Sequence, residues 1–505
     1  MSVQGHPEAE AQDQPHPPGG PATAAEPVRA DPHHARRWLV LAVVLTAQVM
    51  ILLDGTVVNV ALPSAQRDLG FSDASRPWVI TAYVLAFGSL LPLGGRLADV
   101  VGRKTMFMTG LVGFALASVL AGAAPNIGTL LAARAVQGAF AAALAPAALS
   151  LLVVTFTDLK ELNKAFAIFG AVAGSAGAIG LLLGGVLTDY ASWRWCMYIN
   201  IIFAVIAGAG GLSLLHNSRD ANRPRLSIPS TILGSAALFG LVFGSAKAET
   251  NGWSAAVTIT SLVAGGVLLV IFVVLQKYEK HPLIPLRVIA DRNRGAAYLA
   301  LFLTYGAMFA MFLFLTYYIQ DVKGYSPVIT GVAFLPIPVT IGVAATITQG
   351  LLLKHFTMRT IVSGGLILAA AGAALLTQAD ATSNYAAWLL PSMILMGIGI
   401  GSAGVVAIAI GQQGVEPRDA GTAGAMNNVA QQVGSAIGVA LLSTLAATAT
   451  SDYLAHHPAG TRTTIDATVH GFTVGYWWAA GLFFAAAVLA GALIRPGTRM
   501  HHTQN

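Results

Sequence analysis

The hydrophobic residues of this chain fall in long runs separated by short polar segments. Windows of about 19 residues place six runs near 38–63, 78–97, 105–124, 127–153, 165–187 and 196–215. Two more follow near 228–246 and 254–276, and a second set of six near 295–319, 327–352, 360–378, 385–411, 423–447 and 472–494. Each is long enough to cross a hydrocarbon core about 30 Å thick as an α-helix. The expected fold is an all-α membrane protein of fourteen transmembrane helices, arranged as two six-helix bundles plus an inserted helix pair. The expected segments are a disordered cytoplasmic tail over 1–37, an N-terminal bundle over 38–215, the inserted pair with its cytoplasmic loops over 216–294, a C-terminal bundle over 295–494 and a cytoplasmic tail over 495–505.

Cytoplasmic loops retain Lys and Arg, and this sets the orientation. With the N-terminus inside, the outer loops hold only Arg67, Arg76, Arg194, Lys247, Lys323 and Arg462 of the 28 Lys and Arg, and Arg134 alone lies deep within a run. Both termini are therefore expected in the cytoplasm, with the chain threading the cell membrane many times. Composition agrees: 55% of the residues are hydrophobic, 10% are charged, 54 are glycine and the mean hydropathy is +0.68. The net charge of +6 comes from the inner loops and calls for no nucleic-acid partner. Residues 1–37 are rich in Pro, Ala, His and Glu and carry no apolar periodicity, which reads as a disordered tail. His33 and His34 read as part of that solvated tail rather than as metal ligands. A signal peptide is not expected, because the first run is too long, contains an acid and is followed by further runs. Cys196 is the sole cysteine, so no intramolecular disulfide forms.

That acid is Asp54, in LLDGTVVNVALP, with no basic residue nearby in sequence. An unpaired carboxylate in hydrocarbon is costly, so Asp54 must face a wet cavity, hold a proton or meet a cation from another helix. A weak internal repeat bears on its uniqueness. Gly95 aligns with Gly350 at an offset of 255, and Gly70-Phe71-Ser72 after the first run matches Gly324-Tyr325-Ser326 after the ninth at an offset of 254. In that register Asp54 falls on Met308, so a proton site built on such an acid belongs to the first half alone.

Between the second and third runs the chain reads GGRLADVVGRKTMF. Here Gly95, Asp99, Gly102, Arg103 and Lys104 resemble the loop signature of the major facilitator superfamily, although Val100 stands where that family usually has a basic residue. Three further stretches, LDGTVVNVALP, RAVQGAFAAALAPAALSLL and GSAGAIGLLLGGVLTDYASWRWCMYIN, are similar to the fourteen-span drug:proton antiporter family of that superfamily. The resemblance covers about residues 38–495. It implies that the Gly95–Lys104 segment is a conformational latch, with Asp99 directed at the N-terminus of the thirteenth helix near Ala420. One departure lies in the fifth run, where Leu181 follows Gly180 in place of the family's proline. Gly180, Gly184 and Gly185 remain as small residues for close helix packing, while the missing proline removes a kink and weakens the antiport signature.

The fourth run supplies a partner for Asp54. Arg134 lies about nine residues from the outer end near Pro125, and Asp54 about nine from the outer end near Pro63, so both sit roughly 13 Å deep. If the two helices are neighbours, as the family implies, Arg134 keeps the carboxylate charged when close and lets it take a proton when the helices part. A permanent structural ion pair is the competing reading. Gln137 and Asn59 lie about a turn away and either extend that network toward a substrate cavity or make helix-to-helix hydrogen bonds. The ninth run, YGAMFAMFLFLTYYIQ, offers Tyr305, Met308 and Phe312 as adaptable cavity residues, with core or lipid packing as the alternative. The thirteenth offers Asn427 and Gln431, with Asn428 and Gln432 beside them, again as cavity or packing groups.

No GxxxxGK[ST] phosphate loop occurs, so an ion gradient rather than nucleotide hydrolysis is the expected energy source. The expected function is a proton-coupled secondary active exporter of small amphipathic or cationic compounds, as in multidrug or antibiotic efflux, working by alternating access. It is not expected to be an enzyme or to carry a cofactor or metal. Its expected partners are a small-molecule substrate, protons and the lipid bilayer, and it is expected to act as a monomer. A proton-coupled importer and a nontransporting membrane receptor are the alternatives.

Overall fold

The computed structural model describes residues 32–156, 158–215, 228–279, 286–415, 420–458 and 460–496, and their regular structure is entirely helical. The first bundle contains α1 (Pro32–Leu69), α2 (Arg76–Val101), α3 (Arg103–Gly122), α4 (Ile127–Thr155), α5 (Leu159–Tyr190) and α6 (Trp195–Leu214). The pair α7 (Ile228–Asn251) and α8 (Ala256–Tyr278) follows. The second bundle contains α9 (Arg292–Val322), α10 (Pro327–His355), α11 (Met358–Leu376), α12 (Tyr385–Gln412), α13 (Ala420–His456) and α14 (Thr461–Leu493). Eleven of these are long and apolar enough to cross a membrane, while the described parts of α2, α5 and α7 carry the shorter apolar stretches Arg76–Leu91, Ile179–Tyr190 and Pro229–Ser245. Large apolar side chains such as Leu116, Val205 and Leu212 face outward, as expected when lipid is the solvent.

Several helices extend beyond their apolar runs: α5 begins at Leu159, α13 ends at His456 and α14 begins at Thr461, and two further starts have a visible cause. Helix α1 begins at Pro32, ahead of the apolar run, because its polar first turns are anchored: Arg37 Nη2 lies 2.5 Å from Glu161 Oε1 of α5. Helix α9 begins at Arg292, where the Asp291 carboxylate accepts from the Asn293 and Arg294 amides at 3.1 and 3.0 Å and so caps the helix. The remainder of the expected N-terminal tail, the connections 216–227 and 280–285, and residues 497–505 lie outside the described residues.

The two bundles repeat one packing scheme. In the first, α1 packs on α5 and α6, α2 on α4, and α3 on α4 and α6; in the second, α9 packs on α13 and α14, α10 on α12, and α11 on α12 and α14. Every pair recurs eight helices later. The turns repeat as well: Gly70 and Gly324 follow α1 and α9 with φ of 64° and 69°, a left-handed conformation that glycine adopts without a Cβ penalty. The contacts between bundles are repeat-related too, since α2 meets α13 and α10 meets α5. Helix α7 lies against α2 and α13, with Phe243 edge-on to Trp78 at 6.1 Å, and α8 packs on α7 where Gly240 and Gly265 let the backbones approach.

Polar contacts between the bundles gather at the end that holds the C-terminus of α1. Gln320 Nε2 donates to the Val60 carbonyl at 2.9 Å, and the Val328 amide donates to Asp189 Oδ2 at 3.1 Å. The Arg76 guanidinium lies 3.8 Å from the Tyr317 ring centroid, and Arg67 Nη1 is 3.5 Å from Asp321 Oδ1. Arg67 and Asp321 are separated by 254 residues, the register of the internal repeat, so each position meets its own equivalent across a pseudo-two-fold axis.

Candidate functional site: a buried ion pair in the first bundle

Glycine contacts in α3 and α4 set the geometry of the site. Helix α4 starts at an Asn126 cap, whose Oδ1 accepts from the Thr129 amide at 2.9 Å. One turn past Arg134, Gly138 packs directly on the Tyr83 carbonyl, and a side chain there would collide with it. That approach brings α2 onto α4, so the Arg134 guanidinium lies 4.4 Å from the Tyr83 ring centroid and Arg134 Nε donates to the Val79 carbonyl at 3.2 Å. Helix α3 closes the other side. Gly110 and Gly113 pack on Leu144 and Phe140 of α4, and Gly122 packs on Tyr198 of α6, which leaves Ser118 between α4 and α6.

At the centre, Arg134 Nη1 donates to Asp54 Oδ2 in a salt bridge between two side chains that are 1% and 0% exposed. The other carboxylate oxygen, Oδ1, accepts from Gln137 Nε2 at 3.1 Å and from Asn200 Nδ2 at 2.8 Å. Gln137 also accepts from Arg134 Nη1 through Oε1 at 3.0 Å and donates to Ser118 Oγ at 2.7 Å. Asn200 Nδ2 reaches Ser118 Oγ as well, at 3.2 Å, and Ser118 donates to the Phe114 carbonyl at 2.9 Å. Five helices, α1, α2, α3, α4 and α6, thus contribute to one dry polar cluster. Burying a charge is tolerable only when it is paired and hydrogen-bonded, and both conditions hold at Asp54. Asn200 Oδ1 and Tyr83 Oη are the cluster's buried polar atoms without a partner.

The structure brings together three residues singled out from sequence, Asp54, Arg134 and Gln137, and adds Asn200, Ser118 and Tyr83, which the sequence reading did not select. Asn200 was visible as a lone amide in the apolar stretch WCMYINIIFAV; Ser118 and Tyr83 carry no comparable signal. Gln137 is fully buried in this cluster. Asn59 is 3% exposed and donates to the Gly55 carbonyl of its own helix at 2.9 Å, leaving Oδ1 unpartnered. On α9, Tyr305 stacks on Phe309 at 6.4 Å and Phe312 on Phe334 of α10 at 5.5 Å, while Met308 packs partly buried against the core. Asn427 donates to the Ile408 carbonyl of α12 at 3.2 Å, and Gln431 is half-buried on α13.

The Gly95–Lys104 segment is a helical corner. Helix α2 continues to Val101, Gly102 turns the chain with φ 115°, and Arg103 already opens α3. Lys104 Nζ donates to the Leu212 carbonyl in the last turn of α6 at 3.0 Å. The Asp99 side chain, that of Ala420 at the start of its expected partner helix α13, and residues 416–419 lie outside the described residues. Helix α5 runs unbroken from Leu159 to Tyr190 through Leu181. Its glycines are contact points: Gly180 and Gly184 meet Thr56 and Val57 of α1, and a Cβ on Gly185 would lie 2.5 Å from the Pro327 carbonyl of α10.

A profile of the Major Facilitator Superfamily matches residues 44–439. The chain belongs to the Major Facilitator Superfamily. It is a multi-pass membrane transporter, not an enzyme. A puromycin resistance protein, pur8, of Streptomyces alboniger is 49% identical, covering 91% of this chain and 92% of that protein. A cephamycin export protein, CmcT, of Amycolatopsis lactamdurans is 35% identical, covering 81% of this chain and 85% of that protein. These relatives accord with the fourteen-span drug:proton antiporter branch of the superfamily. Among solved structures, a bacterial homolog of the human lysosomal transporter Spinster aligns with a TM-score of 0.64 over 92% of this chain and 98% of its own, at 14% identity, a likeness of fold.

Proposed function

We propose that the protein exports a small amphipathic or cationic antibiotic in exchange for protons, by alternating access of its two bundles. The observation that carries this reading is the Asp54–Arg134 pair: a carboxylate and a guanidinium with almost no exposure, in a single bundle of a transporter, on helices that would have to shift for Asp54 to change its charge state. On this reading Asp54 takes up the proton and Arg134 releases and recaptures the carboxylate. The corner containing Gly95, Asp99, Gly102, Arg103 and Lys104 latches the cytoplasmic ends. All fourteen helices cross the cell membrane, both termini are cytoplasmic, the active unit is a monomer, and the contacts around Arg67 and Asp321 close the outer end. Asn59, Tyr305, Met308, Phe312, Asn427 and Gln431 are the candidate cavity residues.

Puromycin is the compound to try first, since the resistance protein of Streptomyces alboniger covers nearly the whole chain. In proteoliposomes with an imposed pH gradient, wild-type protein accumulates the compound against its own gradient and Asp54→Asn does not. Equal gradient-driven accumulation by both would remove Asp54 from the coupling mechanism. Proton-coupled import is the second reading, favoured by the unbroken α5 at Leu181; reversing the gradient separates the two, because an exporter accumulates substrate on the acidic side and an importer on the alkaline side.

A further inference from the structure

Among the groups bonded to the Asp54 carboxylate, Asn200 differs from the rest. Arg134 is a pure donor and stays charged, so it serves only the ionised carboxylate. Gln137 has both ends occupied, Nε2 by Asp54 and Ser118 and Oε1 by Arg134. Asn200 donates through Nδ2 at 2.8 Å while its Oδ1, buried in a side chain of 0% exposure, has no partner. When a carboxylate takes a proton it turns from a pure acceptor into a donor and needs an acceptor beside it. Half a turn of the Asn200 amide exchanges Nδ2 for Oδ1 and supplies one without moving the backbone. Ser118, at 3.2 Å from Nδ2, can meet either end of the amide because a hydroxyl both donates and accepts.

We propose that Asn200 is the positioning residue of the proton site, an amide that turns over as Asp54 gains or loses its proton and so sets the pH at which the site loads. This rests on the reading of Asp54 as the proton carrier. The proton comes from water on the open side and joins Oδ1; the ion pair with Arg134 is lost, and the new O–H donates to Asn200 Oδ1. The other charged or titratable groups near the carboxylate are Arg134 of α4, Tyr83 of α2 and Cys196 of α6. Ser118 of α3 and the glycines of α5, Gly180 and Gly184, bring no charge to this region.

Infrared difference spectroscopy of the reconstituted, substrate-free protein tests this. The protonated-carboxyl stretch of Asp54 is followed through a pH titration and assigned by its loss in Asp54→Asn. In the wild type its growth is accompanied by a shift of a side-chain amide band. Asn200→Ala loses that amide shift, and its carboxyl midpoint moves to higher pH by about one unit, a tenfold change in proton affinity. The near-isosteric Asn200→Asp moves it further in the same direction, because a second carboxylate replaces a donor. Both variants are first checked for a wild-type elution profile and unfolding midpoint. An unchanged midpoint in the two variants, or an amide shift that survives in Asn200→Ala, would overturn the role of Asn200. A titrating band that survives in Asp54→Asn would overturn the proton-carrier reading itself.

Discussion

Removing one member of the buried pair strands the other, and the structure lets the cost be worked out. In Arg134→Met the Asp54 carboxylate keeps Gln137 and Asn200 as donors but loses its counter-charge. In Asp54→Leu the guanidinium keeps the Val79 carbonyl, Gln137 Oε1 and the Tyr83 ring. With the pair 1% and 0% exposed, water cannot replace the missing partner, and each single substitution is expected to cost about 3–5 kcal/mol. The double variant leaves no charge to desolvate and should fall within about 1–2 kcal/mol of wild type, giving a coupling energy above about 3 kcal/mol. Equilibrium unfolding in mixed micelles, followed by helical circular dichroism, measures all four corners of the cycle. Acid separates the singles: a proton discharges the stranded carboxylate of Arg134→Met, so its deficit shrinks as the pH falls, whereas the stranded arginine of Asp54→Leu has no such escape. Single variants within 1 kcal/mol of wild type, or a double variant as unstable as the sum of both, would refute the reasoning.

Three further outcomes test the contacts between bundles. Gly185→Ala places a methyl 2.5 Å from the Pro327 backbone carbonyl and should cost the closed contact between the bundles at this end about 1–3 kcal/mol, read as a five- to hundredfold fall in cross-linking between cysteines introduced at Asp189 and Val328. Arg67→Asp should lower the closed population by no more than about fivefold, because the Arg67 and Asp321 side chains are 62% and 36% exposed and screened, and exchanging the two charges should restore it in spin-label distance distributions. Gln320→Leu removes the buried bond to the Val60 carbonyl and should slow gradient-driven transport and, because coupling between two sites is reciprocal, displace the infrared titration of Asp54; an unmoved titration would show that this contact does not link the proton cluster to the second bundle.

The helices were legible because lipid imposes long apolar runs, and the pairing of Asp54 with Arg134 was legible because equal depth follows from counting residues along two helices. What escaped was lateral. Ser118 and Tyr83 sit among residues of similar hydropathy, and their place in the cluster depends on Gly113, Gly122 and Gly138 letting α2, α3, α4 and α6 approach, a many-body arrangement that no linear spacing encodes. Gln137 was placed both as an extension of the pair and as a cavity residue, and one χ rotation separates those fates. The starts at Pro32 and Arg292 lie ahead of the apolar runs because an ion pair and an aspartate cap extend helices beyond their apolar cores.

The scaffold is symmetric and its chemistry is not. The main packing pairs of the first bundle recur in the second, yet the repeat position of Asp54 on α9 is Met308, and the donors to the carboxylate all come from α4 and α6 of its own bundle. On the proposed reading, a proton arriving at Asp54 acts first on packing within that bundle and reaches the other only through helices that touch it. Helix α1 carries Asp54 and, about 9 Å further along its axis, Val60, whose carbonyl receives Gln320 of α9. Helix α2 lends Val79 and Tyr83 to Arg134 and packs on α13. When Asp54 is neutral, Arg134 still holds α2 through Val79 but has lost its charge partner on α1, so the two helices that face the opposite bundle are no longer bound through one ion pair. That difference between the charged and neutral states is the differential interaction a proton needs to shift the equilibrium between two arrangements of the bundles. If Asp54 carries the proton as proposed, one acid on one side of a symmetric frame is sufficient to bias it.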